Sequence, residues 1–526
     1  MLILIAGDDS RVLFMITASG GTMPAIKRTA TRACVIATTA IAAVVISGIS
    51  VDVATQPAPA AAAELAPGVV AAPGAVGNGP LELVWERTLY AQPITTGSPG
   101  LGVLDEQGNS VIVGTMAGTA IAMHTSDGST VDGWPYSTGG LAITSTPSVA
   151  GSGDAAQVFI GVGWAGARTK GGYLALTNDG NKDWYRQVTL YPNNRGEKRG
   201  VMSSLSVGNL YSGTDVIGGS MGQMQLAMGA RTGKTIPGFP WLMADTNFST
   251  PALAKIFTSD KDYIIEGGDS TAGTSYSQSY KNGGHLRILR PTGNKSKKAP
   301  NDGLICQLNT DQVIQSSPAV GRILANNSVG IVSGTGVFYS KAKYTNKIVA
   351  MNTKCTKKWT ALLDGDTRSS PAIADVLGRG TLDVVAASGK GTIYALNGRT
   401  GKTIWSKKLG YSTFGGPTTF QAPGADFQYV LAPTKKGLFM LDGRDGSIVA
   451  LVGDFTLKSS ATVSRNADGS IGITIAGADT INGTASGRVA HYKVVGSSVE
   501  TVDTPGAWPM FHHDPKLSGY TSQPLN

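Results

Sequence analysis

Cysteine is scarce, with three residues in 526, which excludes a disulfide-dense scaffold and any multi-cysteine zinc site. Cys34 lies in an N-terminal apolar run, leaving Cys306 and Cys355. Joining these two would close a loop of about 50 residues, worth on the order of 4 kcal/mol in the chain-entropy model; the sequence leaves their pairing open. The five histidines (His124, His285, His491, His512 and His513) show no HExxH or comparable metal spacing, and no Gly-x-Ser-x-Gly nucleophile turn is evident. Charged residues make up only 15% of the chain. There is no arginine-rich helix and no aromatic-basic stretch that would read RNA, so nucleic acid is not expected as a partner. Amphipathic helical periodicity is missing after residue 80.

What the chain does have is glycine, 70 residues of it, with 25 prolines. Many tight turns between short strands imply an all-β fold. The net charge is +9, carried mostly by lysines in pairs such as Lys407-Lys408 and Lys435-Lys436. Solvated turns explain such pairs; attraction to an anionic cell envelope is the sharper alternative.

The N-terminus carries an export signature. Lys27, Arg28 and Arg32 precede an uncharged apolar run from Ala33 to Ile49, followed by small residues, the layout of a secretory signal. Cleavage between Ser47 and Ala60 is expected, although the run is also just long enough for an uncleaved anchor. Cys34 stands at the start of the run, which argues against a lipoprotein site. Residues 1–22 contain Asp8 and Asp9 and read as lying upstream of the true start at Met23. Signal or anchor therefore covers 23–53, and 54–80 is an Ala/Pro/Gly-rich linker. A secreted or envelope-associated product is expected.

From residue 81 the chain repeats. A small-residue turn opening an apolar strand occurs at Thr95–Pro99, Ser145-Thr146-Pro147, Ser203-Ser204-Leu205, Ser249-Thr250-Pro251, Ser316-Ser317-Pro318, Ser369-Ser370-Pro371, Gly415-Gly416-Pro417 and Ser459-Ser460-Ala461. A second strand motif also occurs eight times, from GTAIAM (118–123) to SGRVAHY (486–492). A third is a polar turn ending on a bulky residue, clearest in NGRTGKTIW at Trp405. Trp85, Phe239, Cys306, Trp359, Trp405 and Val449 each stand ten residues before the next small-residue turn. Trp184 and Trp134 end looser copies. Four strands in about 45–65 residues match a propeller blade. The eighth unit lacks its outer strand, and LELVWERTL (81–89) supplies one, removing an open edge. The expectation is an eight-bladed β-propeller of four-stranded blades over 81–496, closed by the N-terminal strand, with a docking tail at 497–526.

The segment IYALNGRTGKTIW (393–405) resembles the repeat of the PQQ-like, quinoprotein-type propellers, with weaker copies at 227–236, 350–359 and 440–449. That resemblance implies structural tryptophans at Trp85, Trp134, Trp184, Trp359 and Trp405. It does not decide function, because the repeat serves quinone-dependent dehydrogenases and non-catalytic scaffolds such as the outer-membrane assembly lipoprotein propeller. A dehydrogenase would need calcium, an acidic base and commonly an adjacent Cys-Cys pair. That pair is absent, and neither PQQ nor calcium is expected to be bound. Residues 372–386 also resemble a calcium-loop propeller repeat. Asp375 and Asp383 remain as weak metal candidates, but Leu377 and Arg379 stand where further carboxylates belong, and the plain alternative is a solvent-exposed hairpin. In the tail, His512 and His513 would point to opposite faces of an extended segment.

Enlarged loops fall on one face. Trp164, Tyr276, Tyr280, Phe338, Tyr339 and Tyr344 sit there among Lys and Arg residues and are the ligand-face candidates. The reading is a monomeric, exported, non-catalytic propeller that binds a protein or glycan of the envelope, touching membrane only through an uncleaved N-terminus. A PQQ-dependent dehydrogenase and a polysaccharide-active enzyme with an acid-base pair are the alternatives.

Overall fold

The structure, a computed structural model, describes residues 2–6, 12–16 and 79–522, apart from 167–169, 191–197, 244, 259, 272–281, 295–302 and 500–501. The expected signal or anchor, nearly all of the linker, Tyr276 and Tyr280 lie outside the described residues. Leu2–Ala6 and Val12–Ile16 pair as a short antiparallel hairpin. No helix among the described residues is long and apolar enough to cross a membrane.

From Leu81 the chain forms eight antiparallel four-stranded sheets. Blades 1 to 8 are numbered by their inner strands: Gly100–Asp105, Ser148–Ala150, Ser206–Gly208, Ala252–Ala254, Ala319–Leu324, Ala372–Ala374, Thr418–Phe420 and Thr462–Arg465. Neighbouring inner strands touch around the axis, closing the ring between blades 8 and 1. In blade 8 the order is Leu81–Leu89, Thr484–Val494, Ile471–Ile481, Thr462–Arg465. Trp85 stands opposite His491 in that ladder, and their rings stack with centroids 5.6 Å apart. The borrowed outer strand therefore sits where the sequence placed it, and the fold is an eight-bladed all-β propeller.

Two devices join the blades. The first is the docking of a bulky residue against the next blade's turn. The indole N–H groups of Trp85, Trp134, Trp184, Trp359 and Trp405 donate to the carbonyls of Thr125, Asn178, Ala230, Gly398 and Gly443 at 2.6–2.9 Å. A glycine in each receiving turn lies against the ring, and a Cβ on Gly401 would come within 2.5 Å of Trp359. Gly401 also has φ +70, so glycine is required twice over. Phe239 fills the same place against Gly293. Between blades 4 and 5 the pair is covalent: Cys306 and Cys355 form a disulfide, settling the pairing that the sequence left open. Cys355 has φ +53, the left-handed conformation that glycine takes at the other joints.

The second device explains the small-residue turn. The backbone N–H of Ser98 donates to the Thr146 hydroxyl, Thr146 to Ser204, Ser204 to Thr250, Thr250 to Ser317 and Ser317 to Ser370, and Ser460 donates back to Ser98, all at 2.9–3.0 Å. This is a hoop of hydroxyl acceptors around the axis, interrupted where Gly416 has none. Each bond satisfies a buried amide that no strand partner reaches.

Candidate functional site

Connectivity assigns two faces to the ring. Links from first to second strand and the TGK-type turns form one, the turn face. Links from second to third strand and between blades form the other, the loop face. The two faces are finished differently.

On the turn side of the hydroxyl hoop, the axis is filled by the chain's own C-terminal tail. Inner-strand amides that face the axis donate to tail carbonyls: Asp375 to Gly506, Thr419 to Trp508, Val463 to Pro509, Val149 to Pro515, Val207 to Lys516, Leu253 to Ser518 and Val320 to Gly519, at 2.7–2.9 Å. One segment thus reaches seven blades. Trp508, Met510 and Leu517 are buried in this plug. The expected extended run at His512-His513 is corrected, because their φ values are +58 and +80 and the tail coils there. Asp514 holds the coil by accepting from the amides of Lys516 and Ser518 at 2.9 and 3.2 Å. The two ring nitrogens of His512 face the carbonyls of Leu517 and Pro318 at 2.7 and 3.1 Å. Burial outweighs these acceptors and draws its pKa down to about 4.

The candidate metal loop lies on the same face. The hairpin tip, Gly378 to Gly380, is exposed, whereas Asp375 and Asp383 at its base are both buried. The Arg379 guanidinium donates to both oxygens of Asp383 at 3.0 and 2.8 Å, and Asp375 accepts from the amides of Arg379 and Gly380. The carboxylates are already engaged by internal donors. Burial still pushes the Asp383 carboxyl up to about 6. A cleft of about 320 Å³ between blades 1 and 2 contains Asp105, Glu106, Asp132 and Asp179. Asp105 is tied to His124 at 2.8 Å and Asp179 to Asn181 at 2.7 Å.

The loop face carries the longer connections. Its largest fully described loop, 335–346 in blade 5, is held from beneath by two residues of the preceding connection. The Asp311 carboxylate accepts from the amides of Lys343 and Tyr344. The Gln312 carboxamide accepts from the Tyr339 amide and donates to the Tyr339 carbonyl and the Thr345 hydroxyl, at 3.0–3.1 Å. So braced, the loop holds Val337 and Phe338 out to solvent, 43% and 42% exposed. Phe338 meets the ring of Tyr339 edge-on at 4.9 Å. Tyr344 departs from the cluster: its ring packs against the blade 4–5 core, with Lys347 and Lys357 at 5.9 and 5.7 Å. Trp164 belongs to blade 2, three blades away, where it lies against Gly166 and Gly200. Phe338 and Tyr339 are thus brought together, and Trp164 and Tyr344 serve elsewhere.

Two features here were not read from the sequence. Beneath the blade 4 loop, Glu266, His285 and Arg287 form a fully buried cluster, with His285 Nε2 3.1 Å and Arg287 Nη1 3.5 Å from Glu266. Nearby, the Asp269 carboxyl is driven well above the usual carboxylate range by burial and by Asp245, with Gln315 Nε2 at 3.3 Å. A quinone-and-calcium centre is what the family resemblance raises, and the described residues do not fit it. Among them no three acidic, histidine or cysteine side chains converge as metal ligands, and Cys306 and Cys355 are committed to the blade 4–5 joint.

A family model described as outer membrane protein assembly factor BamB matches residues 307–495. No curated protein matches the sequence significantly. Among solved structures, the quinohemoprotein alcohol dehydrogenase of Comamonas testosteroni is 13% identical and superposes with a TM-score of 0.53, covering 81% of this chain and 78% of its own. Sqt1 of Saccharomyces cerevisiae is 9% identical with a TM-score of 0.53, covering 78% and 98%. BamB of Moraxella catarrhalis is 14% identical with a TM-score of 0.49, covering 78% and 97%. At such identities structural likeness speaks for the fold. The chain is an eight-bladed β-propeller by its own sheet order, and its residues 307–495 resemble the PQQ-like family model.

Proposed function

We propose that this chain is an exported, non-catalytic propeller that binds or scaffolds a protein or glycan of the cell envelope on its loop face. The observation that carries this reading is the braced loop 335–346. Asp311 and Gln312 use side-chain hydrogen bonds to hold a segment whose outermost residues, Val337 and Phe338, remain exposed. Ordering a loop in advance removes part of the entropy that binding would otherwise lose, and an exposed aromatic on a rigid support suits an interface anchor. The family match to an envelope assembly factor and the export signature support the same setting. A monomer, and membrane contact only through an uncleaved N-terminus, complete the proposal.

The test compares the wild-type protein with Phe338→Ala/Tyr339→Ala for capture of separated envelope protein and glycan fractions on a biosensor. The expected result is at least a tenfold loss of capture with an unchanged melting temperature. Equal capture by the variant overturns the reading, as does dye-linked alcohol or sugar oxidation by the wild type after PQQ and calcium are added.

A further inference from the structure

Exposed lysines occupy the loop face in three consecutive blades. In blades 5, 6 and 7 the links between second and third strands carry Lys341 and Lys343, then Lys390, then Lys435 and Lys436, and all five are exposed. One cationic loop per blade makes an arc around the rim. The carboxylates beside the arc are already bound. Asp364 accepts from the hydroxyls of Ser388 and Thr392, Asp366 is paired with Arg368, and Asp311 is used on the backbone of loop 335–346. Only Asp366 is offset by a cation. Asp311 and Asp364 keep their charge, and Asp364 lies within the field of Lys390, so five lysines and Arg368 against three carboxylates leave the arc with a positive excess.

Aromatic rings punctuate the same arc. Phe338 stands at its blade 5 end, 42% exposed, and Tyr411 lies between blades 6 and 7, 43% exposed and stacked on Phe439 at 6.3 Å. Lys435 Nζ lies 5.6 Å from the Phe414 ring centre. One amide in each of blades 2 to 8 is already taken by the tail on the turn side of the axis. The cations are lysines, compact point charges, where bidentate recognition of a single carboxylate or phosphate favours arginine. Charges spaced by the blade repeat, separated by flat apolar rings, suit a ligand that repeats its own charge at intervals and presents C–H faces between them.

We propose that the arc over blades 5–7 binds an acidic polysaccharide, a chain of uronate-type sugars whose carboxylates meet Lys341, Lys343, Lys390, Lys435 and Lys436 while sugar faces rest on Phe338 and Tyr411. This rests on the loop-face reading above and names the ligand class for it.

The experiment is titration of the full chain with a polygalacturonate oligomer, with dextran of equal length and with poly-glutamate, at 50 and 300 mM salt. Two variants are compared, Lys390→Gln/Lys435→Gln/Lys436→Gln and Tyr411→Ala. The expected result is binding of polygalacturonate only, weakened at least tenfold by the charge variant and by the higher salt, and about threefold to tenfold by Tyr411→Ala. Poly-glutamate binding as tightly, or polygalacturonate binding unchanged in the charge variant, overturns the assignment. An envelope ligand that requires Phe338 but ignores the charge variant would leave the loop-face reading standing and remove this one alone.

Discussion

The two ends of the propeller axis are built on opposite principles. On the turn side, the tail gives its carbonyls to amides of seven blades, and each docked indole finds a carbonyl in the next blade. Along that end of the axis polar groups are used internally and Trp508, Met510 and Leu517 are buried. On the loop side, side-chain hydrogen bonds brace loops whose tips stay exposed. The difference separates stability from recognition. A surface that satisfies itself has nothing left to offer a partner, whereas one that spends polar groups on positioning keeps its tips available.

Lesions on the two sides should therefore read out differently. Deleting residues 505–526 should have the largest effect. Seven backbone hydrogen bonds at about 1 kcal/mol each, together with the buried Trp508, predict a loss of several kcal/mol and a melting temperature lower by ten degrees or more. A truncated chain that melts like the full one would show the plug to be an ornament. Next come the blade joints, which can be set against each other. Trp405→Ala removes a buried indole and should cost about 3–5 kcal/mol in chemical denaturation. Cys306→Ser/Cys355→Ser should cost about 2–4 kcal/mol, and reducing agent should bring the wild type down to that variant and no further. Polygalacturonate affinity should be unmoved by either joint lesion while the ring stays folded.

The smallest effect should have the opposite sign and lie on the loop side. Burial and Asp245 raise the folded-state pKa of Asp269. A raised carboxyl favours the folded state only while it is protonated, so its contribution is present below the unfolded pKa and is lost as pH rises through the folded value. Asp269→Asn should therefore melt higher than the wild type at pH 7, by a few degrees at most, and the gap should close toward pH 4. Identical melting curves at both pH values would show that Asp269 carries no such cost.

The repeat was legible because its signals are local and periodic. Glycine and proline punctuate the turns, strands follow at similar spacing, and a bulky residue stands ten positions before six of the eight small-residue turns, which places Trp85 on the last blade. Cys306 even occupied a tryptophan register position, but a ten-residue interval cannot show whether a partner lies across the joint. The loop face followed from topology, and Phe338 and Tyr339 fell on it. That the Tyr344 ring turns toward the blade 4–5 core was not legible, because sequence gives the loop and not the direction of the ring. The hairpin at 375–383 was legible, but not that its tip would be exposed while Asp375 and Asp383 at its base are buried, because a hairpin position says nothing about what packs over its ends. The sequence marked 497–526 as a docking tail but not where it docks, because it binds through backbone carbonyls, which every residue carries.

By itself the sequence determined the number of blades, their register and the strand that closes the ring, since each of these depends on patterns within about fifty residues, repeated. Only the tertiary structure decided which hydroxyl meets which amide around the axis, that two cysteines replace an indole and its glycine, and that the last residues fill the turn side of the channel. Those contacts join residues tens to hundreds of positions apart, and no local pattern encodes a distance that exists only once the circle has closed.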